Sequence, residues 1–391
     1  MSHIVEFHVE GLAGKEKGFG KKLNRDVNVF FGLNGSGKTS LLKIFNAAFN
    51  SDPSTLVNVP FTKAEVVVES LAYKKQFRYS LDKASLKATH NQQVLFGEAP
   101  EEDNPQIFFE ARAGRIVRHK RTLKWKVEPS LPKDFEGGWA HGYLPTTRLL
   151  YRRSFEPMPQ ELDEDFYDTF FAQQLERHWN EYFGSVQSQV RQIQERGIAN
   201  ILAEMISAKE TGAKAAGVDW EEAFERVTTF LKRQKLSSVL PTKRAFRARF
   251  EESPVLQKVV ARIDVLEGQI ARTMETRTKL QALVERLFSG NKKLVLGDTS
   301  IEVRTKDNLK IGLQSLSSGE KHILRILFEV MRVGESSLII DEPEISLHID
   351  WQRELIKAIR ELNPTLQLIV ATHSPEVTAE IEDSKIFPIP A

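Results

Sequence analysis

The sequence predicts an α/β fold with a mixed sheet that has a parallel core, split into two lobes by an inserted helical arm. Three observations carry this. A short apolar run, Val27–Phe31, leads through a glycine-rich loop into a helical pattern at Ser40–Phe49. From Lys292 onward, apolar runs alternate with amphipathic ones, the pattern of strands covered by helices on both faces. Between them lies a stretch with few prolines, rich in Gln, Glu, Arg and Ala, whose apolar residues recur at helical spacing.

Taken in order, Ile4–Val9 alternates as a strand. Ala64–Leu71 and Lys74–Leu81 read as a meander, and Gln106–Glu110 and Gly114–Val127 as further strands. Phe166, Phe170, Leu175 and Trp179 mark a helical face, as do Leu256, Val259, Val260, Ile263, Leu266 and Ile270. Gly184, Gly197 and Gly268 interrupt these patterns, which predicts a compact arm rather than a long straight coiled coil. Lys293–Leu296 and Ser300–Thr305 suggest a hairpin, Glu320–Arg332 and Asp350–Leu362 helices, and Ser337–Asp341 and Leu366–Thr372 buried strands. The expected domains are an N-terminal lobe at 1–153, a helical insertion at 154–290 and a C-terminal lobe at 291–391.

Composition removes several classes. The 391 residues allow two or three domains at roughly 100–200 each. Without cysteine there is no disulfide framework, thiolate zinc site or cysteine nucleophile, which suits the cytoplasm. No run approaches ~18 apolar residues, so no membrane span is expected. The first ten residues lack the basic-then-apolar pattern of a secretory signal.

Gly32-Leu33-Asn34-Gly35-Ser36-Gly37-Lys38-Thr39 fits G-x-x-x-x-G-K-[ST] at every fixed position, with a strand before it and a helix after. Glycines let backbone N–H groups approach phosphate oxygens, and the following helix presents its positive dipole end. Asn34, Gly35, Ser36, Gly37, Lys38, Thr39 and Ser40 are therefore the candidate ATP-binding residues. Lys38 is placed on the β- and γ-phosphates, and the Thr39 hydroxyl on Mg²⁺. The strand Leu338–Ile340 ends in Asp341 and Glu342, a second candidate metal ligand and a candidate group for polarising the attacking water. His373 follows another buried strand and is read as a γ-phosphate sensor. For Leu316-Ser317-Ser318-Gly319-Glu320, residue chemistry leaves a plain helix cap and an anion-binding helix start evenly matched.

In this order the motifs resemble the ABC-type ATPase heads of the SMC/Rad50 group. The runs Asp341-Glu342-Pro343-Glu344-Ile345-Ser346-Leu347-His348 and Ala371-Thr372-His373-Ser374-Pro375 narrow the likeness. They are similar to prokaryotic AAA family ATPases related to overcoming-lysogenisation-defect nucleases, and to the ATPase subunits of the PARIS and Septu anti-phage systems. The resemblance implies ATP and Mg²⁺ as cofactors. It also implies a homodimer, or a higher oligomer, closing on two ATP molecules. Ser317, Ser318, Gly319 and Glu320 then form the signature that reaches the partner's nucleotide, and Ser346 and His348 lie at the seam. It makes Glu342, His373 and Lys38 the catalytic set.

The departures are Ser318 in place of the first signature glycine, and Tyr143-Leu144-Pro145-Thr146-Thr147-Arg148 where a Q-loop glutamine belongs. Arg148 is the candidate to take part of that glutamine's role. The long separation of Lys38 from Leu316, with no membrane segment, argues against transport. Few residues follow His373, so a Toprim domain is not expected there, and no H-N-H pattern stands out in the insertion. The expected effector is a separate Toprim- or HNH-type nuclease.

Arg112–Lys126 and Lys232–Arg249 are basic runs without an acid, and Ser154–Glu176 is acidic without a Lys or Arg. Solvated faces, nucleic-acid tracking and partner docking all stay open for them. Two functions follow. One is a regulatory ATPase of an anti-phage system that controls the effector. The alternative is a DNA-binding SMC/Rad50-like ATPase of repair or recombination.

Overall fold

The computed structural model describes residues 1–83, 107–112, 115–120, 124–146, 164–207, 219–233, 242–288, 290, 292–298 and 300–390. They pack as two compact units. One comprises residues 1–175, 287–291 and 309–391, and the other residues 176–286 and 292–308.

The first unit is a sandwich of two sheets around one helix. Strands β1 (Ser2–Glu10), β2 (Phe19–Lys22), β4 (Lys63–Ser70), β5 (Lys75–Asp82) and β8 (Lys126–Glu128) form an antiparallel sheet in the order β2-β1-β4-β5-β8. The meander expected from the alternation is the β4–β5 pair. Strands β3 (Val27–Phe31), β9 (His141–Leu144), β13 (Ser337–Asp341), β14 (Gln367–Thr372) and β15 (Ile386–Pro388) form an all-parallel sheet in the order β15-β3-β14-β13-β9. Antiparallel and parallel strands thus separate into two sheets rather than sharing one. The parallel sheet takes two strands from the first half of the chain and three from the last part, so the head is split as expected.

Helix α1 (Lys38–Phe49) is apolar on nearly every side, because it is buried among residues of both sheets. Phe45 meets Phe7 edge-on at 5.0 Å, and Phe7 meets Phe30 at 5.6 Å. Gln367, fully buried at the start of β14, ties the sheets together. Its Nε2 donates to Ile4 O at 2.8 Å and Asn24 O at 2.9 Å, while its Oε1 accepts from Ile4 N–H at 2.9 Å and Ser337 Oγ at 2.7 Å. Gln367→Leu strands these groups without water. We expect it to lower stability by about 3 kcal/mol, read as a lower urea midpoint.

In the hairpin of β6 (Ile107–Arg112) and β7 (Arg115–Lys120), β7 falls in the first basic run and β6 ends on its first residue. Arg121, Arg148 and the acidic positions 154–163 lie outside the described residues.

Helices α2 (Glu164–Ser207), α3 (Trp220–Arg233), α4 (Lys243–Glu252) and α5 (Pro254–Leu287) follow. The expectation that glycines interrupt them fails. α2 runs for 44 residues through Gly184 and Gly197, and α5 for 34 through Gly268. Gly197 is there for space: a Cβ on it would lie 2.5 Å from Leu266 Cδ1 of α5. A lone glycine costs about 1 kcal/mol against alanine, too little to end a packed helix.

The hairpin of β10 (Lys292–Leu296) and β11 (Ile301–Thr305) belongs to the helical unit, whereas the sequence assigned it to the C-terminal lobe. Trp179 Nε1 donates to Gly297 O at 2.9 Å, and Gln281 Oε1 accepts from Leu296 N–H at 3.2 Å. Conversely the start of α2 belongs to the head, where Asp168 pairs with Lys321 at 2.6 Å. After the short β12 (Lys310–Ile311), α6 (Ser318–Val333), α7 (Ile349–Leu362) and the one-turn α8 (Pro375–Thr378) complete the head. Among the described residues no helix is long and apolar enough to cross a membrane.

Candidate functional site

The parallel sheet places the candidate residues together. Four neighbouring strands, β9, β13, β14 and β3, end on the same edge in matched register: Ile340 opposite Leu144, Asp341 opposite Ala371, Thr372 opposite Phe31. The segments leaving these ends are Pro145–Thr146, Glu342, His373 and the loop Gly32–Gly37. This is the carboxyl-end crevice where open parallel sheets bind ligands.

The loop turns into α1 at Gly37, whose φ of +100° suits glycine and strains an L side chain. Leu33, Asn34 and Gly35 are exposed at the tip, whereas Ser36 is buried. Lys38 is 4% exposed and folds back on the loop. Its Nζ donates to Gly32 O at 2.8 Å and Leu33 O at 3.2 Å and stands 3.9 Å from Glu342 Oε1. Thr39 and Ser40 lie in the first turn of α1.

Glu342 leaves β13 with φ +50°, anchored by its N–H to Ala371 O at 2.8 Å. That left-handed turn costs about 1–3 kcal/mol in a non-glycine residue and aims the side chain off the strand. Its Oε1 is 3.6 Å from His373 Nδ1 as well as near Lys38, so Lys38, Glu342 and His373 form one cluster.

Asp341 is 2% exposed. Its Oδ2 accepts from Thr146 Oγ1 at 2.7 Å. Burial pushes its carboxyl above the ordinary range, against hydrogen bonds from Thr146 and Thr39 and the charges of Lys38 and Lys43. Asp341 Oδ1 and Ser36 Oγ are buried without a hydrogen-bond partner among the described residues. An orphaned carboxylate oxygen with a threonine hydroxyl beside it fits a hard divalent cation. Magnesium takes oxygen ligands from one or two such side chains together with substrate phosphates. A cation there also restores the counter-charge that burial removes. Among the described residues, no group of three His, Cys, Asp or Glu offers an alternative all-protein metal cage.

The signature residues open α6. Ser317 is the N-cap and accepts from Glu320 N–H at 3.2 Å, while the Glu320 carboxylate accepts from Ser317 N–H at 2.6 Å. This capping box is the first of the two readings that the residue chemistry left open. It leaves Ser317 and Ser318 exposed. Gly319 is buried, and a Cβ on it would stand 2.4 Å from Ser346 O, so only glycine fits beneath that turn. Ser346 itself has φ +64°, and His348 caps α7.

Sequence reasoning missed Thr146, whose approach to Asp341 depends on β9 lying beside β13. It missed Glu344, which touches His373, and Lys15, whose Nζ donates to Ser36 O at 2.9 Å in the loop after β3. The Tyr143–Arg148 segment was the available signal for Thr146. Nothing in the local pattern marked Lys15.

The family model described as "AAA domain, putative AbiEii toxin, Type IV TA system" matches residues 27–379. The chain belongs to this family. Two bacterial relatives match this AAA-domain protein over a short stretch. "Retron Ec83 probable ATPase" from Escherichia coli is 30% identical over 95 residues, 21% of this chain and 18% of its own length. "Retron Vc95 probable ATPase" from Vibrio cholerae serotype O1 biovar El Tor is 27% identical over 94 residues, with the same shares. The matched segment therefore spans less than a fifth of either relative.

Among solved structures, the Smc head domain of Pyrococcus furiosus bound to the C-terminal domain of ScpA aligns at 12% identity with a TM-score of 0.43. That alignment covers 97% of this chain and 92% of that one. The SMC head domain from Thermotoga maritima aligns at 12% identity and a TM-score of 0.36, covering 96% and 91%. The fold of the AAA-domain protein is assigned from its own strand order.

Proposed function

We propose that this protein binds and hydrolyses ATP with Mg²⁺, pairs through its two ATP sites, and thereby controls a separate effector protein in anti-phage defence in the cytoplasm. The observation that carries the hydrolytic part is the cluster of Lys38, Glu342 and His373 beside a phosphate loop. The defence setting rests on the motif resemblance and on the two retron ATPases that match part of the chain.

In this reading Lys38 exchanges the loop carbonyls for the β- and γ-phosphate oxygens, and the loop N–H groups hold the remainder. Thr39 and Asp341 would hold Mg²⁺, which would supply positive charge to offset that of the phosphates. Glu342 orients a water and accepts its proton as the new P–O bond forms and the bond to the ADP oxygen breaks. His373 senses the γ-phosphate through that water. Ser317 and Ser318, exposed at a helix start, reach the nucleotide of a second copy.

Thr146 holds one Asp341 oxygen and leaves the other for the cation. Thr146→Val is expected to leave ATP affinity without Mg²⁺ unchanged and to weaken the gain on adding Mg²⁺ about tenfold. Thr146→Ser is expected to retain that gain. Titration of a fluorescent ATP analogue with and without the metal checks both.

The effector is tested by capturing Glu342→Gln protein with ATP and Mg²⁺ from its host. A stoichiometric protein retained after nuclease treatment supports the regulatory reading. Nucleic acid with no protein moves the assignment to a DNA-engaging ATPase.

A further inference from the structure

Glu344 is 6% exposed, and the hydrolytic scheme leaves it without a task. Its Oε1 gathers three contacts: Thr372 Oγ1 at 2.6 Å, the His373 backbone N–H at 3.1 Å and His373 Nδ1 at 3.2 Å. A second side chain runs parallel to it. Gln352 Nε2 donates to Leu347 O at 3.0 Å, and its Oε1 accepts from Ser374 Oγ at 2.8 Å. The turn after β13 and the turn after β14 are thus laced together twice. The same β13 turn carries the Ser346 carbonyl, against which Gly319 of the signature helix packs.

Carboxylate oxygens only accept hydrogen bonds. Nδ1 of His373 faces two of them, Glu344 at 3.2 Å and Glu342 at 3.6 Å, so Nδ1 carries the proton. Glu344 is the nearer and more buried, and two further donors fix it in place. Its hold on the ring decides which nitrogen stays available, because the second ring nitrogen of a histidine is set by the bond the first one makes.

We propose that Glu344 is the positioning residue for His373: it holds the ring by Nδ1–H, leaves Nε2 as the acceptor that takes a hydrogen bond from the attacking water at the nucleotide, and links that ring to the turn on which the signature helix rests. The part concerning the nucleotide rests on the placement of His373 in the hydrolytic site. Through this link, a second copy engaging Ser317–Glu320 acts on His373 by way of Ser346 and Glu344.

The test uses the full chain, with Glu344→Ala, His373→Ala and the double variant. ATP turnover is measured, and the His373 imidazole is followed by ¹⁵N NMR, with its signal assigned by its loss in His373→Ala. Glu344→Ala is expected to lower kcat about tenfold with little change in KM, the scale of losing an orienting partner. The double variant is expected to be no slower than His373→Ala, since a residue that acts through another adds nothing once that other is gone. The spectrum should shift from Nδ1–H towards the Nε2–H tautomer.

Losses that multiply in the double variant, or an unmoved imidazole spectrum, overturn the proposal. Unchanged turnover in His373→Ala instead overturns the placement of His373, while the spectrum still judges Glu344. Glu344→Gln keeps the volume and one acceptor oxygen, and it serves where the alanine variant fails to fold. It is expected to give a smaller loss that also vanishes when His373 is absent, and a loss that persists there counts against the proposal.

Discussion

Lys38→Ala is expected to abolish useful ATP binding. The ammonium is 4% exposed, held by two loop carbonyls and close to the Glu342 carboxylate. Alanine removes a cation from a site built for phosphate, and charge-assisted hydrogen bonds there are worth about 3 kcal/mol, or roughly 100-fold in affinity. Equilibrium titration with a fluorescent ATP analogue checks this, beside a thermal melt without nucleotide. The melt matters because the loop carbonyls lose their donor, and a large drop in melting temperature would assign Lys38 a structural task instead. Binding at the unmutated affinity sinks the assignment of the phosphate loop.

Glu342→Gln is expected to separate binding from hydrolysis. Gln has the shape of Glu and occupies the same left-handed turn, so the Lys38 geometry survives. It lacks the basic oxygen that accepts the proton of the attacking water, and general-base groups contribute about 10²–10⁴ in rate. Turnover should therefore fall at least about 100-fold. ATP affinity should hold or rise, because a negative charge 3.9 Å from Lys38 is gone. Bound ATP then persists, and paired heads accumulate in sedimentation with ATP and Mg²⁺. Single-turnover hydrolysis at the unmutated rate would falsify the choice of Glu342 as the hydrolytic carboxylate. Binding without pairing would leave the site intact and remove the dimer from the proposal.

The two variants also divide the site along a physical line. In the proposed scheme Lys38 acts on phosphate charge already present in the ground state, so its loss is expected in binding. In the same scheme Glu342 acts on a proton that moves only during reaction, so its loss is expected in rate. Thr146, which donates to Asp341, falls between them, because in that scheme it addresses the metal-dependent part of binding.

The legible parts of this site are contiguous in the chain. The glycine-rich loop is eight consecutive residues that fit one pattern, and its flanking strand and helix announce themselves by periodicity. Asp341 and Glu342 were legible for the same reason, as charges ending the apolar run Leu338–Ile340 of a fully buried strand. The helices of the insertion were legible in kind but not in length. Glycine reads as an interruption, whereas Gly197 is the space into which Leu266 packs. The hairpin at Lys292–Thr305 was found, yet its allegiance was not, since alternation tells which face is buried and not what buries it.

By itself, then, the sequence determined the α/β class, the split head, the glycine-rich loop between strand and helix and the acidic strand end, all of them local patterns set by chain periodicity and residue chemistry. Only the tertiary structure decided which strand ends are neighbours. The order β9-β13-β14-β3 brings Thr146 to Asp341, Glu344 to His373 and Lys38 to Glu342. These pairs are distant in sequence or point across a turn. Their meeting depends on register between parallel strands, which side-chain packing of the whole sheet fixes and no local window encodes.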